Sequence, residues 1–302
     1  LRWGAGPGGA GGGVPPPPPP RTGLSLLVAK ALRDAAAHLA GTSDTPRLDV
    51  ELLMAHALGV TRSELLLRRM GEGVPEAFAA LIERRQRHEP IAYILGEQEF
   101  HGLAFRVTPD VLIPRGDSEV LIDAGLAACP RASRVLDCGT GSGALLLAVL
   151  SELPEASGIG IDRSAAALAV AQDNAQRLGL AERAVMAVAD WDRPGWATGL
   201  GGPFDLILAN PPYVEEAAHI APSVRDHEPA GALFAGVEGL DAYRVLIPQL
   251  PALLTSSGVA IVEIGHTQAD AVGAIARATG LTARLHHDLG SRPRALEMRQ
   301  FG

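Results

Sequence analysis

Val135-Leu136-Asp137-Cys138-Gly139-Thr140-Gly141-Ser142-Gly143 decides the fold of this chain. The apolar run Arg134–Asp137 reads as a buried strand, and three alternating glycines follow it. Glycine adopts positive φ and lets another group approach the backbone closely. A helix opening at Ser142 puts unpaired N–H groups beside that loop. The same alternation continues downstream. Strands are expected at Gly158–Asp162, Ala184–Ala189, Phe204–Ala209 and Gly258–Ile264, and helices at Ser142–Leu153, Ser164–Leu178 and Asp241–Leu254. Repeated short strand-helix units predict an α/β fold, a parallel sheet with helices on both faces. Thr282–His287 and Arg294–Arg299 are expected to complete the sheet as a hairpin.

Upstream the pattern changes twice. Residues 1–23 are almost all Gly, Pro and Ala, with an unbroken run from Pro15 to Pro20. Such a segment has nothing to bury, and a disordered or polyproline-like tail is expected. It starts without Met and lacks the apolar core of a signal peptide, so no function is attached to it. Residues 24–89 read as a small helical domain. Leu24, Leu27, Ala31, Ala35 and Leu39 recur at helical spacing, and Leu48, Leu52, Ala55 and Leu58 mark the face of a second helix running from Pro46 to Gly59. Leu65–Leu67 and Pro75–His88 supply two more helices. Residues 90–117 carry Ile91, Tyr93, Ile94, Phe100, Phe105, Val107 and Val111 among Gly96, Gly102, Pro109 and Pro114. Short strands forming a β-hairpin linker are expected there. Residues 118–302 then hold the alternating α/β domain.

Composition narrows the classes. With 47% hydrophobic and 20% charged residues in 302, the chain is an ordinary globular protein. No apolar run reaches the ~18 residues of a membrane span. A net charge of −8 argues against broad nucleic-acid binding, which depends on Lys and Arg neutralising phosphates. The two cysteines, Cys129 and Cys138, give no disulfide framework and fit a reducing, cytoplasmic setting. His286 and His287 are adjacent on a strand and point to opposite faces, which makes them poor co-ligands, and no metal is expected.

The chemistry gathers at strand ends, where ligands bind in open α/β sheets. Gly139, Gly141 and Ala144 satisfy a loose dinucleotide fingerprint, G-x-G-x-x-A. The same stretch, Asp137 through Gly143, also reads as the D-x-G-x-G-x-G loop of S-adenosylmethionine enzymes. In that reading Asp137 either orients the loop or meets a cationic amino group, while Thr140 and Ser142 lie within the loop. Asp162 ends the second strand and suits the two hydroxyls of a ribose, or else caps the helix that begins at Ser164. Both cofactors carry such a ribose, so Asp162 does not choose between them. Asp190-Trp191 offers an acceptor and a flat ring, which suits adenine; a Trp packing into the core is the plain alternative.

Asn210-Pro211-Pro212-Tyr213 decides between the cofactors. The residue before a proline is held extended, and two prolines remove two N–H donors. The turn is therefore rich in acceptors, with an aromatic ring beside them. The Asn210 side-chain oxygen and the Pro211 carbonyl can each accept one N–H of a planar NH₂ group. That would hold the nitrogen in line with a transferable methyl, a proximity and orientation effect. Nicotinamide chemistry has no use for such a turn. Glutamate, lacking two N–H donors, would be rejected.

The chain resembles the PrmC/HemK family, the protein-(glutamine-N5) methyltransferases of peptide-chain release factors, over roughly residues 24–299. Beyond the glycine loop and Asn210–Tyr213, the resemblance rests on Glu89-Pro90-Ile91-Ala92-Tyr93-Ile94-Leu95-Gly96, then Phe100, then Leu112-Ile113-Pro114-Arg115. It also extends to Leu48-Asp49-Val50-Glu51-Leu52-Leu53 and His56-Ala57-Leu58-Gly59. Gly116 stands where the family usually has a second proline, and Cys138 where it usually has Leu. The resemblance implies a Rossmann-like, seven-stranded S-adenosylmethionine-dependent methyltransferase domain, with the cofactor held by Gly139–Gly143, Asp162, Trp191 and Asn210. It implies that the acceptor is the glutamine of the Gly-Gly-Gln loop of class-1 release factors, received by Asn210–Tyr213. The helical domain would help dock the factor, and a monomer is expected. The tetrapeptide alone also fits a DNA or RNA amino-methyltransferase.

Overall fold

Helices fill the N-terminal part of the computed structural model, which describes residues 27–301. The tail read at 1–23 lies outside the described residues. The elements are α1 (Val28–Leu39), α2 (Pro46–Leu58), the single turn α3 (Arg62–Glu64) running into a wider π-turn at Leu65–Arg69, α4 (Ala77–Gln86) and α5 (Ile91–Leu95). Val28, Leu32, Val50, Leu53, Met54, Leu65, Phe78 and Ile82 make their common core. The buried face of α2 is rotated from the expected one: Leu48 is exposed, and Asp49 and Glu51 are buried instead. Val50, Leu53 and Met54 turn this face to the core, and ion pairs compensate the two carboxylates buried with them. Asp49 takes Arg85 Nε at 2.6 Å together with the Ser43 and Thr45 hydroxyls, and Glu51 takes Arg62 at 2.7 Å. Buried carboxylates persist only when paired in this way.

The stretch expected to be strand at Ile91–Leu95 is helical instead. Pro90 precedes its first turn, and Gly96, at φ +76°, ends it in the left-handed region. The β-branched residues there imitated a strand pattern. Ile94 packs into the helical core, while Ala92 and Tyr93 join Val107, Val111, Ile113, Ala167 and Val170. One helical turn thus clamps the helical part onto the α/β part. The hairpin follows it as β1 (Glu97–Phe100) and β2 (Leu103–Arg106), with Phe100 and Phe105 packed edge to face at 6.2 Å.

The remaining elements are α6 (Glu119–Ala128), β3 (Arg134–Cys138), α7 (Ala144–Glu152), β4 (Ser157–Asp162), α8 (Ala165–Arg177), β5 (Ala184–Val188), β6 (Phe204–Ala209), α9 (Pro222–Arg225), α10 (Asp241–Leu246), α11 (Leu250–Leu253), β7 (Leu254–Glu263), α12 (Ala269–Ala278), β8 (Leu281–His287) and β9 (Pro293–Gln300). The helix expected over Asp241–Leu254 is broken into three pieces, because Pro248 and Pro251 interrupt its ladder. Strands β3 to β9 form one seven-stranded sheet, in the order β5-β4-β3-β6-β7-β9-β8. The pairings are parallel from β5 through β7, and the last two pairings, β7 with β9 and β9 with β8, are antiparallel. Along β6, Leu206 and Leu208 face one layer while Ile207 and Ala209 face the other. Strand order reverses between β3 and β6, the switch point where such sheets bind ligands.

Asn174, fully buried on α8, ties the hairpin to the sheet domain. Its Oδ1 accepts the Arg106 N–H at 2.7 Å, and its Nδ2 donates to the carbonyls of Arg106 at 3.0 Å and Ser142 at 2.9 Å. Asn174→Ala strands these backbone groups and should cost about 3 kcal/mol, read as a lowered midpoint in urea with unchanged slope.

Candidate active site

The sheet register sets the site. Ala209 pairs with Cys138 on one side and Val262 on the other. One residue further on, Asn210 stands between Gly139 and Glu263. Ile161 accepts the N–H groups of both Gly139 (2.9 Å) and Thr140 (2.8 Å), which folds the loop over the end of β4. Gly139 has φ +76°, and a Cβ there would press on the Trp191 ring at 3.0 Å. Asp162 Oδ2 accepts the Gly141 N–H at 3.0 Å, and its Oδ1 accepts that of Ser164 at 2.9 Å. Ser164 itself caps α8 through the Ala167 N–H. Asp162 is thereby fixed, with lone pairs left for another ligand.

A cavity of about 410 Å³ opens above these strand ends. Gly139, Thr140, Gly141, Ser142, Asp162, Asp190, Trp191, Asn210 and Pro212 line it. Its far wall is the segment from Pro229 to Gly236, which sequence reasoning did not single out. A smaller cavity of about 290 Å³ adjoins it, bounded by Leu112, Arg115, Asn210, Tyr213, Val214 and Glu263. Asn210 borders both.

Four of the expected site residues do not line the larger cavity. Asp137 is buried beneath the loop, where its Oδ2 accepts the Thr140 hydroxyl at 2.6 Å and its Oδ1 has no partner. Of its two readings, the geometry shows the loop-orienting one. Gly143 opens α7 at φ +82°, packed against Leu147 and Ala171 rather than facing the cavity. Pro211 is buried and lines neither cavity. Tyr213 borders only the smaller one.

Three residues missed in the sequence support the turn. Glu263, buried at the end of β7, accepts the Ser118 hydroxyl at 2.5 Å and the Tyr213 hydroxyl at 3.2 Å. Glu228, also buried, takes the Arg115 guanidinium and the Ile113 N–H, tying the chain before α6 to the loop after β6. Glu263 was the more legible of the two carboxylates. It is a lone acid closing an apolar strand at the same sheet edge as Asp162 and Asn210. Nothing local marked Ser118 or Glu228.

Burial pushes the carboxyls of Asp137 and Glu263 up to about 7, against partial relief from Thr140 and from Ser118 and Arg294 respectively. Their folded-state values lie above the ordinary ones, so the folded protein binds the extra protons. Stability therefore falls as pH rises through the window from about 4 to about 7. Asp205 and Glu297 are shifted down, by hydrogen bonds that outweigh burial, and act only below that window. The thermal midpoint should drop by roughly 5 °C or more between pH 5 and pH 8, and Asp137→Asn should remove part of that drop. A midpoint rising over this range would contradict the assignment.

Comparison with known proteins gives the family. The PrmC N-terminal domain matches residues 30–96 and a methyltransferase domain matches residues 131–262. A release factor glutamine methyltransferase of Caulobacter vibrioides is 43% identical over 262 residues, 84% of this chain and 89% of that one. One from Rhodospirillum rubrum is 42% identical, covering 85% of this chain and 80% of the relative. A third, from Cereibacter sphaeroides, is 41% identical and covers 90% and 98%. Identity at this level, sustained over both the helical and the α/β parts, means that the chain belongs to the family of release factor glutamine methyltransferases.

Proposed function

We propose that this protein transfers a methyl group from S-adenosylmethionine to the side-chain amide nitrogen of the glutamine in the Gly-Gly-Gln loop of class-1 peptide-chain release factors. The observation that carries the reading is Asn210, placed where the glycine-loop cavity meets a second, smaller one. The first is large enough for a nucleoside-sized ligand, and the second admits a slender side chain.

The residues present fit the cofactor. Asp162 keeps lone pairs for ribose hydroxyls, Asp190 and Trp191 suit adenine, and Gly139 leaves no room for a Cβ beneath the Trp191 ring. Gly141, Ser142 and Asn210 would complete the cradle, with Asp137, Thr140 and Gly143 shaping it from behind. When bound, S-adenosylmethionine supplies a methyl group made electrophilic by its sulfonium.

The remaining work falls to the chain. An amide nitrogen is a poor nucleophile because its lone pair is delocalised into the carbonyl. Asn210 Oδ1, which borders both cavities, accepts one of its N–H bonds, and the Pro211 carbonyl, on a residue that lines neither cavity, reaches the other only once the acceptor is seated; together they orient the nitrogen and favour its loss of planarity. Pro211 and Pro212, having no N–H, leave no donor to compete for those acceptors. Tyr213 bounds the acceptor side. The nitrogen gives up one proton to solvent once the new C–N bond has formed, so no dedicated base is needed. The helical segment, residues 24–89, is proposed to help dock the release factor. A nucleic-acid amino-methyltransferase would use the same turn, but the relatives named above are release factor enzymes and the chain is acidic.

Incubation with a folded release factor and labelled S-adenosylmethionine should label one glutamine. Labelling of RNA or DNA, with none of the factor, would overturn the reading. Asn210→Ala should lower kcat by about 100-fold or more and cofactor affinity by no more than about tenfold, the loss of one hydrogen bond; full turnover in that variant would remove Asn210 from the mechanism.

A further inference from the structure

An asparagine amide has two ends of nearly the same shape, and only hydrogen bonding decides which faces the substrate. Asn210 works as an acceptor only if its oxygen faces the incoming NH₂. Its nitrogen lies 3.5 Å from Ser118 Oγ, a long approach. Ser118 is buried and owns a single hydroxyl proton, which points to Glu263 Oε2 at 2.5 Å. With that proton committed, Ser118 can only accept on its other side. The second carboxylate oxygen, Oε1, is engaged by the Tyr213 hydroxyl at 3.2 Å. Glu263 is itself held, since its backbone carbonyl accepts the buried Tyr243 hydroxyl at 2.9 Å.

We propose that Glu263 and Ser118 are positioning residues that set the direction of the Asn210 amide, by ordering the hydroxyl proton of Ser118 away from it. Ser118 then faces Asn210 with lone pairs, Nδ2 turns toward Ser118, and Oδ1 turns toward the acceptor nitrogen. The inference rests on the reading of Asn210 as the acceptor of the substrate's N–H groups.

The relay depends on ionisation. A carboxylate only accepts, so both hydroxyls must donate to it; a carboxylic acid can donate to Ser118 and free its proton to turn toward Asn210. The groups facing Glu263 are Ser118 and Tyr213, Arg294 from β9, Asp117 from the turn before α6, and Tyr243 from α10. Arg294 is shared with Asp117 at 2.8 Å and with Asp288 at 3.5 Å, so it only partly offsets the burial of Glu263. The Glu263 carboxyl is pushed up to about 7, and the ordered arrangement is present above that value and lost below it.

The test measures kcat against pH for wild type, Ser118→Ala, Ser118→Thr and Glu263→Gln, with cofactor affinity by calorimetry as the check on folding. Wild type should lose kcat as pH falls through about 7. Ser118→Ala should lower kcat about 10- to 100-fold at pH 8 with cofactor affinity unchanged, and Ser118→Thr should restore most of it. Glu263→Gln, which no longer titrates and can offer Ser118 either end of its amide, should lose the acidic limb. If it does not fold, Ser118→Ala decides, since that variant keeps the Tyr213–Glu263 bond. Ser118→Ala with wild-type kcat and an unchanged acidic limb would overturn the relay. Asn210→Ala in the same assay separates the two ideas: if it too is fully active, the reading of Asn210 fails; if it is inactive, only the relay does.

Discussion

Two adjacent prolines cannot extend a β-ladder, and the site exists because β6 ends on them. Ala209 is the last residue paired on both sides, with Cys138 and Val262. Beyond it the backbone of Pro211 and Pro212 offers carbonyls but no N–H. A central strand ending this way leaves a gap in the sheet edge lined by acceptors. The flanking strands β3 and β7 supply the glycine loop on one side and Glu263 on the other.

Acceptors clustered at the end of a buried strand need support, because unpaired polar groups in a dry interior are costly. The structure meets this with carboxylates placed one layer back. Glu263 anchors Tyr213 and Ser118, Asp137 anchors Thr140, and Glu228 anchors Arg115 and Ile113. Asp137 and Glu263 are raised well above the ordinary carboxylate range by burial. Such strain concentrated at a site is a common sign of function. The clamp formed by α5 and the Asn174 contact then fix the hairpin and the helical part against the same edge.

Much of this was legible in the sequence, for physical reasons. The strand ends were readable because parallel strands buried on both faces are continuous apolar runs that stop at polar residues: Asp137, Asp162, Asp190 and Asn210. The terminal hairpin was read at Thr282–His287 and Arg294–Arg299, within a residue or so of β8 and β9. What escaped were features set by contacts distant in sequence. The burial of Asp49 on α2 is matched by Arg85, thirty-six positions away. The helical turn at Ile91–Leu95 is fixed by packing on two cores at once, which overrode a β-branched pattern. Ser118 and Glu228 act through partners more than a hundred residues away. Gly143 was legible as part of the loop but not as a group set behind it, whereas loop orientation was one of the two roles read for Asp137.

The most direct test of the account is a crystal structure of the protein with S-adenosylhomocysteine and a release factor carrying its Gly-Gly-Gln loop. The account predicts the glutamine side chain in the space beside Tyr213, its nitrogen within hydrogen-bonding distance of both Asn210 Oδ1 and the Pro211 carbonyl, and the adenosine between Asp162 and Trp191. A glutamine bound away from Asn210, or held through its oxygen by Asn210 Nδ2, would contradict it.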